Sequence, residues 1–262
     1  MIGRFLRQLR RAGRLHEEHR RRLAEAGGPT DFHGAGTDAR ALDLEDGAAG
    51  LVFSSPPYCS ALDYTRAHIF AVAWLADILG VSTHEYRAMG RQYVGSERAP
   101  LAKATERQPL PPTTGHDGVD EVVAALREDR KRAWIVHRYF DDMGAVLKES
   151  ARVVKPGGHV ILVVCPSNIR KVRVATHELF AEVAPEVSDG QLEVEQTYER
   201  TIHGHRRVMP YLESAFGERM RTEYVVVLRK READQSIIRS LDGAGSTATI
   251  SGRAIEVNET MA

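Results

Sequence analysis

The sequence predicts an α/β fold, a sheet with helices packed on it. Three observations predict it. Apolar runs of strand length occur at Leu51–Ser54, His159–Cys165 and Thr222–Lys230. Long stretches with apolar residues at helical spacing separate the first two. Together with two further elements, the order reads strand, helix, strand, helix, strand, strand, which suits one sheet covered by helices.

The elements follow in chain order. Ile2, Phe5, Leu6, Leu9, Ala12 and Leu15 recur at spacings of three and four, an apolar stripe on a helix rich in arginine. Gly27-Gly28-Pro29 stops it. Residues 1–30 hold eight Arg, three Glu and no Lys or Asp, an excess of five positive charges. This basic amphipathic segment is expected to pack on the domain with its arginines solvated. A helix laid along a phosphate backbone is the functional alternative. Leu51–Ser54 is a short strand after the turn-rich Leu44–Gly50. Ile69, Phe70, Ala73, Trp74 and Ile78 suit a helix closed by Gly80. Residues 81–118 are polar and broken by Pro100, Pro109, Pro111 and Pro112, which predicts a long functional insert. Val119 to about Val154 is helical in pattern, with an interruption, and Lys155-Pro156-Gly157-Gly158 ends it. His159–Cys165 reads as a buried parallel strand. A short helix over Val174–Ala184 and strands over Gln191–Arg200 and Thr222–Lys230 complete one region, 31–230. Residues 231–262, rich in Ser, Gly and Thr, read as a tail.

Composition excludes several classes. The 262 residues are 42% hydrophobic, enough for a sizeable core. Basic and acidic residues number 36 each, so no globally basic surface exists, although local patches remain open. Two cysteines, Cys59 and Cys165, rule out a disulfide framework and a cysteine-rich zinc site, and suit a reducing cytoplasm. The eleven histidines show no metal-ligand spacing, so no metal is expected. No apolar run approaches the ~20 residues of a membrane span. The arginine-rich start lacks an apolar core after it and does not read as a secretory signal.

The chemistry concentrates in Ser55-Pro56-Pro57-Tyr58, directly after the first strand. In open α/β sheets ligands bind beyond the carboxyl ends of strands. Two prolines fix the backbone and hold the preceding residues extended. They carry no N–H, but their carbonyls remain acceptors. Ser55 adds a hydroxyl and Tyr58 a flat ring. The set fits a planar base bearing an exocyclic amine. Two acceptors on the amine hydrogens draw the nitrogen toward tetrahedral geometry and free its lone pair, while the ring stacks on a base flipped from its helix.

These residues resemble a known family. Amino-group DNA methyltransferases, which modify cytosine N4 or adenine N6, carry a [Ser/Asn/Asp]-Pro-Pro-[Tyr/Phe/Trp] motif after a strand. The serine form is commonest among the cytosine-N4 enzymes. Gly36–Leu42, "GTDARAL", is similar to the family segment whose aspartate contacts the cofactor adenine, here Asp38. "SALDYTRAHIFAVAWLADILG" resembles the helix that follows the motif in one group of these enzymes, which places Asp63, Tyr64 and Arg66 beside the substrate. "ARVVKPGGHVILVV" resembles a turn and strand common to class I methyltransferases, and "RMRTEYVVVLRK" their closing strand. The resemblance implies a class I, Rossmann-like sheet, S-adenosyl-L-methionine as cofactor, DNA as substrate, restriction-modification as a setting and catalysis by Ser55, Pro56, Pro57 and Tyr58.

Two parts of the family pattern are not evident before Asp38: a Gly-rich cofactor loop and an acid for the ribose hydroxyls. Ser240–Glu259 echoes such a loop only loosely, since Asp242 and Glu256 stand too close together for the intervening helix. The expectation is an incomplete methyltransferase sheet, completed by a second protein subunit that carries the Gly-rich loop. Two other readings stay open: an RNA base-amine methyltransferase, and a non-catalytic subunit that binds DNA or a partner through a degenerate methyltransferase fold.

Overall fold

The computed structural model describes residues 2–25, 27, 38–59, 64–90, 92–95, 109–202 and 222–232. The chain divides into two compact units, residues 1–38 and 39–262. The first contains helix α1, Ile2–Glu25. Of its described side chains only Glu18 is partly covered; the rest are exposed. Glu18 pairs with Arg22, and Arg21 with Glu25 at 4.0 Å.

The second unit is a mixed α/β layer. Its four-stranded sheet contains β1 (Ala49–Ser54), β2 (Val154–Val164), β5 (Leu192–Thr201) and β6 (Thr222–Lys230), in the order β1-β2-β6-β5. β1 and β2 are parallel; β6 runs antiparallel to both β2 and β5. Helices α2 (Tyr64–Leu79), α3 (Thr83–Met89), α4 (Asp117–Ala125) and α5 (Arg130–Val153) lie between β1 and β2 in sequence. A hairpin of β3 (Ser167–Ile169) and β4 (Val172–Val174) precedes α6 (Thr176–Val187).

One sheet face holds the core. Val160, Leu162 and Val164 of β2 and Val226 and Leu228 of β6 join Tyr139, Phe140, Met143 and Leu147 of α5 and Phe180 of α6 in a single buried cluster. The apolar run of β2 predicted burial on both sides. Instead Ile161 and Val163 are half-buried, as are Val225 and Val227, while Leu51 and Phe53 are 54% and 66% exposed. Among the described residues, helices cover this sheet on one face.

Several boundaries differ from expectation for local reasons. Lys155–Gly158 ends the helix as expected and turns the chain: Gly157 takes positive φ, and the Lys155 carbonyl oxygen would lie 2.9 Å from a Cβ on Gly158. Helix α5 stops at Val153 and β2 begins at Val154, so the turn falls inside the strand and shifts its register against β1. Ala49 pairs with Val154 but Leu51 with His159. Gly157 takes φ +75, and a Cβ on Gly158 would stand 2.8 Å from the Gly50 carbonyl oxygen. Within the predicted insert, residues 83–89 are helical, because Ser82 and Glu85 form a reciprocal capping box; residues 96–108 lie outside the described residues. The helical stretch from 119 breaks at 126–129, where Asp129 caps the next helix by accepting from the Arg132 N–H at 3.2 Å. The β3–β4 hairpin was not foreseen from sequence. Its two turn residues, Arg170 and Lys171, both adopt positive φ, the two-residue hairpin geometry usually carried by Asn-Gly.

Residues 42–46 are strapped along α5. The Leu42 N–H donates to Glu149 at 2.7 Å, and Arg152 donates to the Leu44 carbonyl at 2.8 Å and Asp46 at 2.6 Å. Lys230 caps the end of α5 by donating to the Ala151 and Val154 carbonyls at 2.6 and 2.8 Å.

Gly158→Ala should destabilise the protein by about 1–3 kcal/mol, because backbone rather than a flexible side chain meets the added methyl. Urea unfolding measures it; an unchanged midpoint would show that β1 and β2 pack less closely than described.

Candidate functional site

The Ser-Pro-Pro-Tyr run leaves the carboxyl end of β1, where the sequence placed it. Ser55 is exposed, Pro56 buried, and Pro57 and Tyr58 half-buried. Cys59 is fully buried in the core cluster. No peptide bond here is cis.

The two proline carbonyls are not equivalent. That of Pro57 accepts a hydrogen bond of 2.8 Å from the Tyr139 hydroxyl on α5. Tyr139 is itself 1% exposed, stacked on Phe180 and edge-on to Phe140, so this donor is rigidly held. Gly95 packs against both partners: a Cβ there would lie 3.4 Å from Pro57 and 3.5 Å from the Tyr139 ring. Among the described residues no donor engages the Pro56 carbonyl. The backbone is thus anchored at Pro57.

The Tyr58 hydroxyl lies by the thiol of Cys165 and the hydroxyl of Ser55. Burial, then the Cys165 contact, push its pKa up to about 12, with the Ser55 hydrogen bond pulling weakly the other way. Burial also raises the Cys165 thiol, so the thiol stays protonated near neutrality. Beside them Glu223 pairs with Arg200 across β6 and β5; the Glu223 side chain is 12% exposed and that of Arg200 62%.

Sequence reasoning missed Tyr139, Cys165, Glu223 and Arg200. Cys165 was noted only for its bearing on disulfides. Nothing local marks Tyr139, which reads as one apolar position in a helix. Asp38, the expected cofactor contact, is exposed and is the last residue of the first unit. Asp63 lies outside the described residues. Tyr64 opens α2 and Arg66 sits in its first turn, with their side chains outside the description. Ser240–Glu259 and residues 203–221 also lie outside it. Among the described residues no three metal-ligating side chains cluster, and no helix is long and apolar enough to cross a membrane.

No protein-family model and no curated protein matches this chain. It is similar to solved structures of TTHA0409 from Thermus thermophilus, provisionally described as a DNA modification methylase. One, a selenomethionine derivative, is 14% identical with a TM-score of 0.35, over 75% of this chain and 51% of that one. Another, complexed with S-adenosyl-L-methionine, is 14% identical with a TM-score of 0.36, over 75% of this chain and 54% of that one. The chain spans about half the length of these structures.

Two measurements probe this geometry. Tyr139→Phe keeps the ring packing but strips the Pro57 carbonyl of its donor, and should cost about 0.5–1.5 kcal/mol in urea unfolding. No loss would mean that the bond anchors nothing. Because the folded Tyr58 pKa lies above its ordinary value of 10, its contribution to stability is complete below pH 10 and is lost as pH rises toward 12. Phenolate absorbance, compared between the native protein and Tyr58→Phe, should show one tyrosine titrating at about 12. Titration with the ordinary tyrosines near 10 would place the Tyr58 hydroxyl in solvent.

Proposed function

We propose that this chain is the base-binding part of an S-adenosyl-L-methionine-dependent DNA methyltransferase acting on an exocyclic amine, cytosine N4 ahead of adenine N6. The observation that carries the reading is the division of labour in Ser55–Tyr58. The Pro57 carbonyl is tied down by Tyr139, while among the described residues no donor engages the Pro56 carbonyl, and the exposed Ser55 stands in the same run as the half-buried Tyr58 ring. The preference for cytosine rests on the serine in the motif.

In this reading the Pro56 carbonyl and the Ser55 oxygen each accept one hydrogen of the target amine. Held so, the nitrogen lone pair leaves conjugation with the ring and points at the methyl donor. The Tyr58 ring supports the flipped base. Ser55 is exposed, so the proton lost after methylation has a path to solvent. The cofactor supplies an activated methyl group for in-line displacement. Of its contacts, the one to the adenine is assigned to Asp38 on the resemblance of Gly36–Leu42 alone. The backbone donors for its methionine part and the acid for its ribose are assigned to a second protein subunit. Two features support such a partner. Among the described residues β1 has a strand neighbour on one side only. Helix α2 leaves Phe70, Trp74 and Ile78 at 85%, 77% and 82% exposure, more apolar surface than one helix of a monomer usually shows.

The test is transfer of label from the cofactor to DNA, with and without the product of the adjacent open reading frame. Methylation with the partner is expected, and Ser55→Ala should lower it about tenfold to a hundredfold, the value of one hydrogen bond to a reacting group. Methylation of tRNA in place of DNA would move the reading to RNA. No transfer in any arrangement, or full activity with Ser55 and Tyr58 both changed to Ala, would overturn catalysis by this site.

A further inference from the structure

The basic helix α1 stands apart from the chemistry of Ser55–Tyr58. Between Ile2 and His16 it carries five arginines and no acidic residue. The first turn contains no Asp or Glu, so these cations sit toward the positive end of the helix dipole with nothing local to offset them. Arg7, Arg10, Arg11 and Arg14 are all exposed, and none has an ion-pair partner among the described residues. Acidic residues begin only at Glu17, and from there the arginines do find partners, Arg22 with Glu18 and Arg21 with Glu25. At about 100° per residue, Arg7, Arg10, Arg11 and Arg14 fall within one third of the helix circumference. The exposed Leu6 and Leu23 lie on other sides.

The rest of the chain sharpens the contrast. With eight of 36 basic and three of 36 acidic residues in positions 1–30, the remaining 232 residues hold 28 basic and 33 acidic side chains. A body with that balance repels a polyanion at long range. Its cationic counterpart is concentrated in one helix, all of it arginine, whose planar fork binds phosphate oxygens in pairs.

We propose that the arginine face of α1, through Arg7, Arg10, Arg11 and Arg14, binds the phosphate backbone of duplex DNA. The choice of DNA over other polyanions rests on the function proposed above. The contacts are to phosphate and independent of sequence, so they hold the duplex without choosing the site. Counterions released from the duplex supply the driving force, and binding weakens steeply as salt rises.

The experiment measures affinity of the full chain for a short unmodified DNA duplex across a salt series. The variant changes Arg7, Arg10, Arg11 and Arg14 to Gln, which preserves helix propensity; circular dichroism checks the helix. The slope of log affinity against log salt should become shallower by about 3.6, at 0.9 for each of four phosphate contacts. The control Lys148→Gln with Lys155→Gln removes exposed cations and should leave the slope unchanged. An unaltered slope in the arginine variant overturns the inference. So does an equal loss in the control. A variant that keeps DNA affinity but no longer binds phosphatidylserine vesicles also overturns it, and would assign α1 to a membrane surface. The catalytic reading fails separately: a shallower slope in a chain that never methylates leaves α1 as a DNA-binding helix, and methylation with an unchanged slope leaves the site without it.

Discussion

The parallel pairing of β1 with β2 sets where everything else stands. Parallel neighbours require a long crossover, and here it contains α2 through α5. It also makes the two strands deliver their carboxyl ends to the same place. Ser54 lies opposite Leu162, so the chain leaving β1 at Ser55 emerges beside the end of β2. Cys165 follows two residues after Val163 and meets the Tyr58 hydroxyl there. The pairing needs close approach of backbones at its far end, which is why Gly158 faces the Gly50 carbonyl. A wider gap at Gly158 would shift the register that brings Tyr58 to Cys165.

The antiparallel half of the sheet reaches the same edge by the opposite route. β6 runs against β2, so its start, where Tyr224 faces Val164, lies at the end where β2 finishes. β5 runs against β6, so its finish, where Arg200 faces Glu223, lies there too. Four strands of mixed direction thus contribute to one rim. Its electrostatics stay nearly neutral. Glu223 is matched by Arg200, while Tyr58 and Cys165 are both held protonated. A neutral, acceptor-bearing rim suits the uncharged amine proposed above better than a phosphate.

What the sequence made legible was whatever is encoded locally. Period-two and period-3.6 patterns located the strands and helices, and the prolines marked the loop. Gly80, with φ +63, does end α2. The less visible features depend on contacts distant in sequence. The Tyr139–Pro57 bond spans 82 residues, and nothing in the neighbourhood of either residue announces it. The β3–β4 turn escaped because Arg170-Lys171 is not turn chemistry by propensity; the paired strands impose its positive φ. The Lys-Pro-Gly-Gly run does stop helix α5, at Val153, but its place inside a paired strand is set by the parallel neighbour. The apolar stripe of α2 was legible as a helix, but its exposure was not, since periodicity tells which residues share a face and not what covers it.

One buried ion pair ties the distant contacts into a single device. Arg40 donates to Asp142 of α5 at 2.5 Å and to the Gln92 carbonyl at 2.8 Å. Asp142 is 9% exposed, and the second of its oxygens has Arg138 at 3.6 Å. A buried pair of this kind contributes little net stability against an apolar substitute, because desolvation offsets the attraction. Removing one member is different, since it strands a buried charge. The value of Arg40 therefore lies in what it orders. Through Gln92 it fixes the turn at residues 92–95, and through Gly95 that turn presses on Pro57 and Tyr139. The same side chain thus connects the start of the folded body, the crossover and the proline loop. The loop's rigidity is distributed: its prolines restrict the backbone, Tyr139 fixes one carbonyl, and a charge pair on the preceding segment holds the surface against which both are packed.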